Sequence, residues 1–388
     1  MKDLKTAIKD GTRDFIFGEC ELKRTISDRY LSLFRKWGYD EIMTPEVEFL
    51  NVFSGGSVDG MVRIEDIYKL TDEKNRLLAL RADCTMPIAR VVASKLEHYP
   101  APYRLCYDQK VFSASAMQME ASQCGVELIG AEDIRADVEI LTLAVKSQKV
   151  FFDGNFRIEL GHGKLFGILV EEFGIDPQTA AKAREFIEKK NFAAIQAMDL
   201  PEQIKMLPRM FGDVSVLQTY SSMVSNSRVD EILAYLKKIY EILSESGLGD
   251  CLCFDLGLVH SLDYYTGIIF RGYVSGSGQT MLSGGRYDNL LANYGKPFAA
   301  VGFGIYIEHA FDILKAEYSE KSVPDYLIYY ESGCHLQALE FAEEADKTGK
   351  TVLFFCGDSP DQALREAKQR GIRDICYLTK NSRRIENV

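Results

Sequence analysis

No stretch of this 388-residue chain approaches the ~20 consecutive apolar residues that a membrane-spanning helix needs. No charged segment followed by an apolar one opens it, so a cytoplasmic protein with no membrane role is expected. Paired cysteines are missing too: the nine thiols stand at 20, 84, 106, 124, 251, 253, 334, 356 and 376, with no Cys-x-x-Cys. The five histidines show no metal spacing. An odd, unpatterned cysteine count fits reduced, mostly buried thiols, and Cys251 and Cys253 read as core on one strand face rather than as metal or redox groups. A basic surplus is also lacking. Lys plus Arg number 46 against 57 acids, for a net charge of −11. Gripping nucleic acid takes cations that displace phosphate counterions, so nucleic acid is not the expected partner. There is no internal repeat and no low-complexity tract. What remains is an ordinary globular composition, 46% hydrophobic and 27% charged, long enough for two or three domains.

Along the chain, Leu22, Ile26, Tyr30, Leu33, Phe34 and Trp37 recur at helical spacing, and Gly38 suits the residue after a helix end. Residues 39–53 read as extended, with Pro45 fitting an edge strand at a subunit contact. Residues 68–70 and 77–80 form a hairpin. Asp83 and Thr85 then fall where a strand gives way to a helix, with Thr85 as N-cap and Pro87 in the first turn. Plain capping is the simplest account of that pair. Residues 103–112 and 123–130 make two antiparallel strands joined by a loop, 113–122, that holds one acid and neither Lys nor Arg. Residues 165–248 read as wholly helical, an insertion between two halves of one sheet. Strands resume at 251–256, 262–274, 280–283 and 299–304. Beyond Pro324 the pattern is β-α-β-α-β, a small parallel-sheet domain. The expected division is therefore 1–322 and 323–388.

The stretch 258–270 is read as a strand with a polar island, in which Tyr264, Tyr265 and Thr266 stand beside Asp263 among apolar neighbours. Buried hydroxyls need partners, so the island is either a private hydrogen-bond network or the wall of a binding pocket. Blander readings suffice elsewhere. The glycines of 276–285 do not join a strand to a helix and suit a hairpin turn better than a phosphate cradle. Asp255 and Asp263 read as structural, His162 and His335 as surface or loop residues, and 380–384 as a solvated basic tail.

Several segments, in order, resemble the histidyl-tRNA synthetase family of class II synthetases, over roughly residues 5–320. Pro45 and its surroundings resemble the first class II motif. Residues 103–130, ending Gln123-Cys124-Gly125-Val126-Glu127, resemble the second, and Gly302-Phe303-Gly304-Ile305-Tyr306-Ile307-Glu308-His309 the third. Leu80-Arg81-Ala82-Asp83-Cys84-Thr85 and Leu262-Asp263-Tyr264-Tyr265-Thr266 are similar to the family's two histidine-pocket signatures, and Gly284-Gly285-Arg286-Tyr287-Asp288 also matches. The resemblance implies an α+β fold: a class II synthetase-like antiparallel sheet flanked by helices, with a helical insertion and a small C-terminal α/β domain akin to a shortened anticodon-binding domain. It also implies a dimer through the first motif.

The departures from that family decide the functional expectation. Working synthetases carry arginines where this chain has Ser113, His260 and His309. Adenylation builds negative charge at phosphorus, which guanidinium groups match in bidentate geometry. Loss of one such stabiliser costs ~3 kcal/mol or more, so three losses imply no adenylation. Arg271 or Arg286 would have to move in to restore it. The amino-acid pocket, by contrast, is kept. By resemblance, Glu127 and Tyr264 receive the imidazole edge, Asp83, Thr85 and Gln123 the α-ammonium, and Tyr265 and Tyr287 line the walls, while His260 stands where the family's carboxylate-binding arginine would be. A kept pocket with lost arginines, and the Asp83 form of the signature, resemble the ATP phosphoribosyltransferase regulatory subunits. That resemblance implies a non-catalytic chain that partners a short-form catalytic subunit in the first step of histidine biosynthesis and mediates feedback inhibition by histidine. No cofactor or metal is implied. The rival expectations are an active synthetase with displaced cations and a stand-alone histidine-binding paralogue.

Overall fold

The structure, a computed structural model, describes residues 5–53, 62–114, 118–259, 265–317, 323–357 and 359–388. It divides into two compact units, one built mainly from residues 21–316 and the other mainly from 317–388. The first is organised around a nine-stranded sheet. Its strands, with those of a small companion sheet, are β1 (Asp40–Glu41), β2 (Val47–Phe49), β3 (Lys69–Thr71), β4 (Leu77–Leu80), β5 (Tyr103–Phe112), β6 (Glu120–Ile129), β7 (Phe156–His162), β8 (Phe211–Gly212), β9 (Leu252–Asp255), β10 (Ile268–Val274), β11 (Thr280–Arg286) and β12 (Ala300–Tyr306). The large sheet runs β1-β5-β6-β12-β11-β10-β7-β9-β8, antiparallel through its centre and parallel only at β1–β5 and β7–β9. The small one runs β2-β4-β3.

Period-2 alternation gives the large sheet two unlike faces. Cys124, Val126 and Leu128 of β6, with Phe303 and Ile305 of β12, join one buried cluster with Leu22, Ile26, Tyr30 and Phe34 of helix α1 (Gly18–Lys36) and Ile140, Leu141 and Ala144 of helix α3 (Ile134–Lys149). Between these lies α2 (Thr85–Ser94), which packs in a second cluster with Tyr103, Leu105 and Tyr107. Each fully buried large apolar side chain contributes about 1.5–3 kcal/mol, so the first cluster dominates the stability of this unit. The opposite face of the central strands carries small and polar residues instead: Gln123, Gly125 and Glu127 on β6 lie beside Tyr306, Gly304 and Gly302 on β12. The second cluster covers this face around Leu105, Tyr107 and Ile129, but not beside Gln123 and Glu127. A cavity opens there.

Some expectations need correction. Leu258 and Val259 are buried but not in a strand, and of the expected strand over 262–274 the described residues 265–267 precede the strand, which runs from Ile268. Residues 260–264 of the polar island lie outside the described residues. The helical region is interrupted by β8, whose Phe211 and Gly212 pair with Asp255 and Phe254. Trp37 falls just past α1 and is 36% exposed, so it is not part of the buried stripe. His162 is no surface residue: it ends β7, half-buried, and burial pushes its pKa down to about 4. Gly38 does follow the helix with φ +80, and 275–279 is the turn of the β10–β11 hairpin.

In the second unit, β13 (Tyr326–Tyr330) lies parallel between β14 (Val352–Phe354) and β15 (Asp374–Thr379), with helices His335–Lys347 and Pro360–Arg370 as the crossovers. The basic segment at 380–384 is not a free tail. It turns into β16 (Ser382–Asn387), which pairs antiparallel with β15 and completes the order β14-β13-β15-β16.

Candidate functional site

Glu127 is the centre of the cavity. It sits on β6, two strands from the sheet's middle, and is only 1% exposed. Thr85 Oγ1 donates to its Oε1 at 2.7 Å, and the Tyr287 hydroxyl donates to its Oε2. Burial raises its pKa to about 8, against the pull of those two hydrogen bonds and with help from the Asp83 charge. The site has to make room for this side chain. A Cβ on Gly302, its partner across β12, would lie 1.9 Å from Glu127 Oε2 and 2.5 Å from the Val126 carbonyl oxygen. A Cβ on Gly304 would meet the Gln123 amide carbon at 2.7 Å. The glycines of the third motif are thus a shelf on which the polar side chains of β6 lie.

Helix α2 brings the second carboxylate. Asp83 Oδ1 accepts from the Met86 amide at 2.9 Å, so Asp83 caps this helix. The expected N-cap, Thr85, is already the first helical residue, and its hydroxyl goes to Glu127 instead. The reason is non-local: a buried acceptor 42 residues away competes successfully for the hydroxyl. Burial raises the Asp83 pKa to about 6, although backbone amides of the helix start pull the other way.

Asp83, Thr85, Gln123, Glu127, Tyr265 and Tyr287 line one cavity of about 150 Å³. Tyr264 lies outside the described residues. Tyr287, expected only as a wall, also holds Glu127 through its hydroxyl. Tyr107, Ser283 and Tyr306 line the cavity as well and were not singled out from the sequence. Their signal was alternation: each shares a sheet face with Gly125, Gly304 or Gln123 by strand register. No cationic side chain is among the described residues lining this cavity. Two carboxyls and several hydroxyls with no cation make a chamber suited to a ligand that brings N–H groups and positive charge. A second chamber of about 440 Å³ adjoins it, sharing Tyr265, Ser283, Gly284 and Tyr306 and adding Arg271 and His309.

The other charged motif residues are engaged in structure. Arg81 is buried and donates to the carbonyls of Lys110 and Thr44, both at 2.7 Å, and of Pro45 at 3.0 Å. Arg286 points to the opposite sheet face. Its Nε donates to Asp137 at 2.8 Å and its Nη1 to the Ala131 carbonyl and to Asp288 at 3.1 Å. Asp288 in turn accepts from Thr266 Oγ1 at 3.0 Å, which fixes the chain on either side of Tyr265 and Tyr287. Glu308 takes the Ser122 amide at 2.8 Å and Lys23 Nζ at 2.7 Å. His309, at the place of a synthetase arginine, has Nδ1 2.7 Å from the Thr280 carbonyl oxygen. A carbonyl only accepts, so Nδ1 carries a proton. Asp255 is held by Lys190 at 2.6 Å, a structural role as expected.

Comparison with known proteins agrees with this architecture. The family model for histidyl-tRNA synthetase matches residues 11–310. A protein of Clostridium kluyveri named ATP phosphoribosyltransferase regulatory subunit is 38% identical, the alignment covering 96% of this chain and 99% of that one. A crystal structure from Bacillus halodurans, described as an ATP phosphoribosyltransferase regulatory subunit/histidyl-tRNA synthetase, superposes with a TM-score of 0.85 at 28% identity, covering 98% of this chain and all of that one. Histidyl-tRNA synthetase from Nostoc shares the fold, with a TM-score of 0.78 at 19% identity over 99% of this chain and 95% of that one. The chain is a class II synthetase-like protein, and it belongs to the family of ATP phosphoribosyltransferase regulatory subunits.

Proposed function

We propose that this chain is a non-catalytic histidine sensor. In this reading it assembles with a short-form ATP phosphoribosyltransferase catalytic subunit, is required for that subunit's activity in the first step of histidine biosynthesis, and conveys feedback inhibition by histidine. The observation that carries the reading is the cavity with two carboxyls and no described cation. Histidine offers what such a chamber lacks: an ammonium for Asp83 and Gln123, and an imidazole N–H for Glu127. Each Glu127 oxygen accepts one internal hydrogen bond and keeps a lone pair for a ligand. Regulation then follows from linkage. Histidine inhibits to the extent that it binds one state of the assembly more tightly than the other.

Self-association is supported by the small sheet. Val47 and Phe49 on β2, Leu70 on β3 and Leu77 on β4 are large apolar side chains left exposed, as is the nearby Met43. Such a concentration on a monomer marks a contact surface, and the class II dimer uses this region. No helix among the described residues is long and apolar enough to cross a membrane.

The rival with the same pocket is an active synthetase. Of the two arginines that could move in, Arg286 is committed to Asp137, while Arg271 lines the adjoining chamber, so the activity measurement decides this rival. The expected result is that calorimetry finds histidine binding to the purified chain while ATP–pyrophosphate exchange with histidine stays at background. Histidine-dependent exchange would establish the synthetase and overturn the sensor.

A further inference from the structure

The inner chamber leaves one end of an amino acid unaccounted for. Among the described residues its polar lining groups are acids, hydroxyls and an amide, so a zwitterion whose ammonium and ring face Asp83 and Glu127 finds no partner for its carboxylate among them. The position at 260, where the related synthetases keep their carboxylate-binding arginine, holds a histidine in this chain.

Strand β10 supplies a candidate. Arg271 pairs across β11 with Ser283, and two residues earlier Ile269 pairs with Gly285. Alternation therefore puts Arg271 on the cavity face of the sheet. It lines the 440 Å³ chamber, which shares Tyr265, Ser283 and Tyr306 with the inner one. Arg271 is half-buried, and its guanidinium forms no hydrogen bond or ion pair with any described residue. Glu159 stands across β7 from it without forming an ion pair. The other nitrogen base of that chamber, His309, already donates Nδ1–H to the Thr280 carbonyl. A guanidinium is a permanent cation. A half-buried, permanent cation that faces a cavity, with the Glu159 charge opposite it but not in ion-pair contact, suits an anion, and the five donors of its fork match a carboxylate in bidentate geometry.

We infer that Arg271 receives the α-carboxylate of the amino acid held by Asp83 and Glu127, so that the recognition cation has moved from the position at 260 to strand β10. This rests on the reading of the inner chamber as a histidine pocket. Arg271 would be a specificity residue: it would separate histidine from analogues that keep the ring and ammonium but carry no carboxylate.

Calorimetry with histidine and histidinol, on the full-length chain and on Arg271→Ala and Arg271→Lys, tests this. Charge-assisted bidentate pairs are the strong ones, so the unaltered chain should prefer histidine by roughly 10- to 100-fold. Arg271→Ala should lose most of that preference, with histidinol affinity changed by less than about threefold on the same scale. Retained histidinol binding also reports that the variant is folded. Arg271→Lys should fall between, because it keeps the charge and loses the fork. If Arg271→Ala keeps the full preference for histidine, Arg271 does not bind the carboxylate, while the histidine pocket stands. If the unaltered chain binds neither compound, the pocket reading fails and takes this inference with it.

Discussion

Gly302→Ala should abolish histidine binding, with an affinity loss above about 100-fold, and lower stability by about 1–3 kcal/mol as an overpacked site does. The added methyl would lie 1.9 Å from Glu127 Oε2 and 2.5 Å from the Val126 carbonyl oxygen. Rotating Glu127 relieves only the first of these contacts. The second is to backbone, so β6 and β12 must also part, and Thr85 and Tyr287 lose the acceptor that both share. Gly167→Ala is the natural control. Gly167 lies within the helix Leu165–Glu172, and nothing stands within 4 Å of where its Cβ would be. That change should leave binding intact and stabilise the helix slightly, because alanine is the better helix former. Calorimetry and thermal unfolding on the two variants check both statements. Tight histidine binding by Gly302→Ala would show that Glu127 is not needed where the structure puts it.

Glu127→Gln should change the pH dependence of stability as strongly as it changes binding. In the folded chain burial raises the Glu127 pKa to about 8, whereas the ordinary value is 4.5. Between these two values the folded state holds a proton that the unfolded state releases. Stability contributed by this group is therefore fully present below pH 4.5 and is lost as pH rises through about 8. The slope approaches about 1.4 kcal/mol per pH unit, a few kcal/mol across the window. Glutamine keeps the shape and removes the titration. Its NH₂ can donate to a hydroxyl of Thr85 or Tyr287, since hydroxyls also accept. Urea unfolding of both chains from pH 5 to 8 should show the variant gaining on the unaltered protein as pH rises. Asp83 still titrates in both, with its pKa raised to about 6, so a shared slope remains at the acid end. Parallel curves throughout would mean that Glu127 is not the buried acid described.

How much of this was legible in the sequence depended on whether a residue's partner is local. The helical stripe of α1 and the strand pair β5–β6 follow from periodicity, which needs no distant partner. So does the two-faced character of β6 and β12, because Gln123-Cys124-Gly125-Val126-Glu127 and Gly302-Phe303-Gly304-Ile305-Tyr306 alternate polar or small with apolar. The capping at α2 was misassigned because Thr85 has two suitors, its own helix and Glu127, and only the fold brings the second within 2.7 Å. The purpose of Gly302 was hidden for the same reason: its constraint comes from a side chain on the neighbouring strand. Strand β16 went unseen because Ser382-Arg383-Arg384-Ile385-Glu386-Asn387 is a charged edge strand with no apolar alternation. Conversely, the apolar and aromatic residues of 258–270 suggested one long strand, yet among the described residues of that stretch the ladder with β7 and β11 begins near Ile268.

The central claim is that this chain senses histidine on behalf of a catalytic partner, and one assay addresses it directly. A short-form ATP phosphoribosyltransferase catalytic subunit would be assayed for phosphoribosyl-ATP formation alone, with this chain, and with this chain plus increasing histidine. The account predicts that activity appears or rises strongly on adding the chain and then falls with histidine, while the Glu127→Gln complex assembles and is active but needs at least about tenfold more histidine for the same inhibition. No gain in activity on adding the chain, or an inhibition curve unmoved by Glu127→Gln, would contradict it.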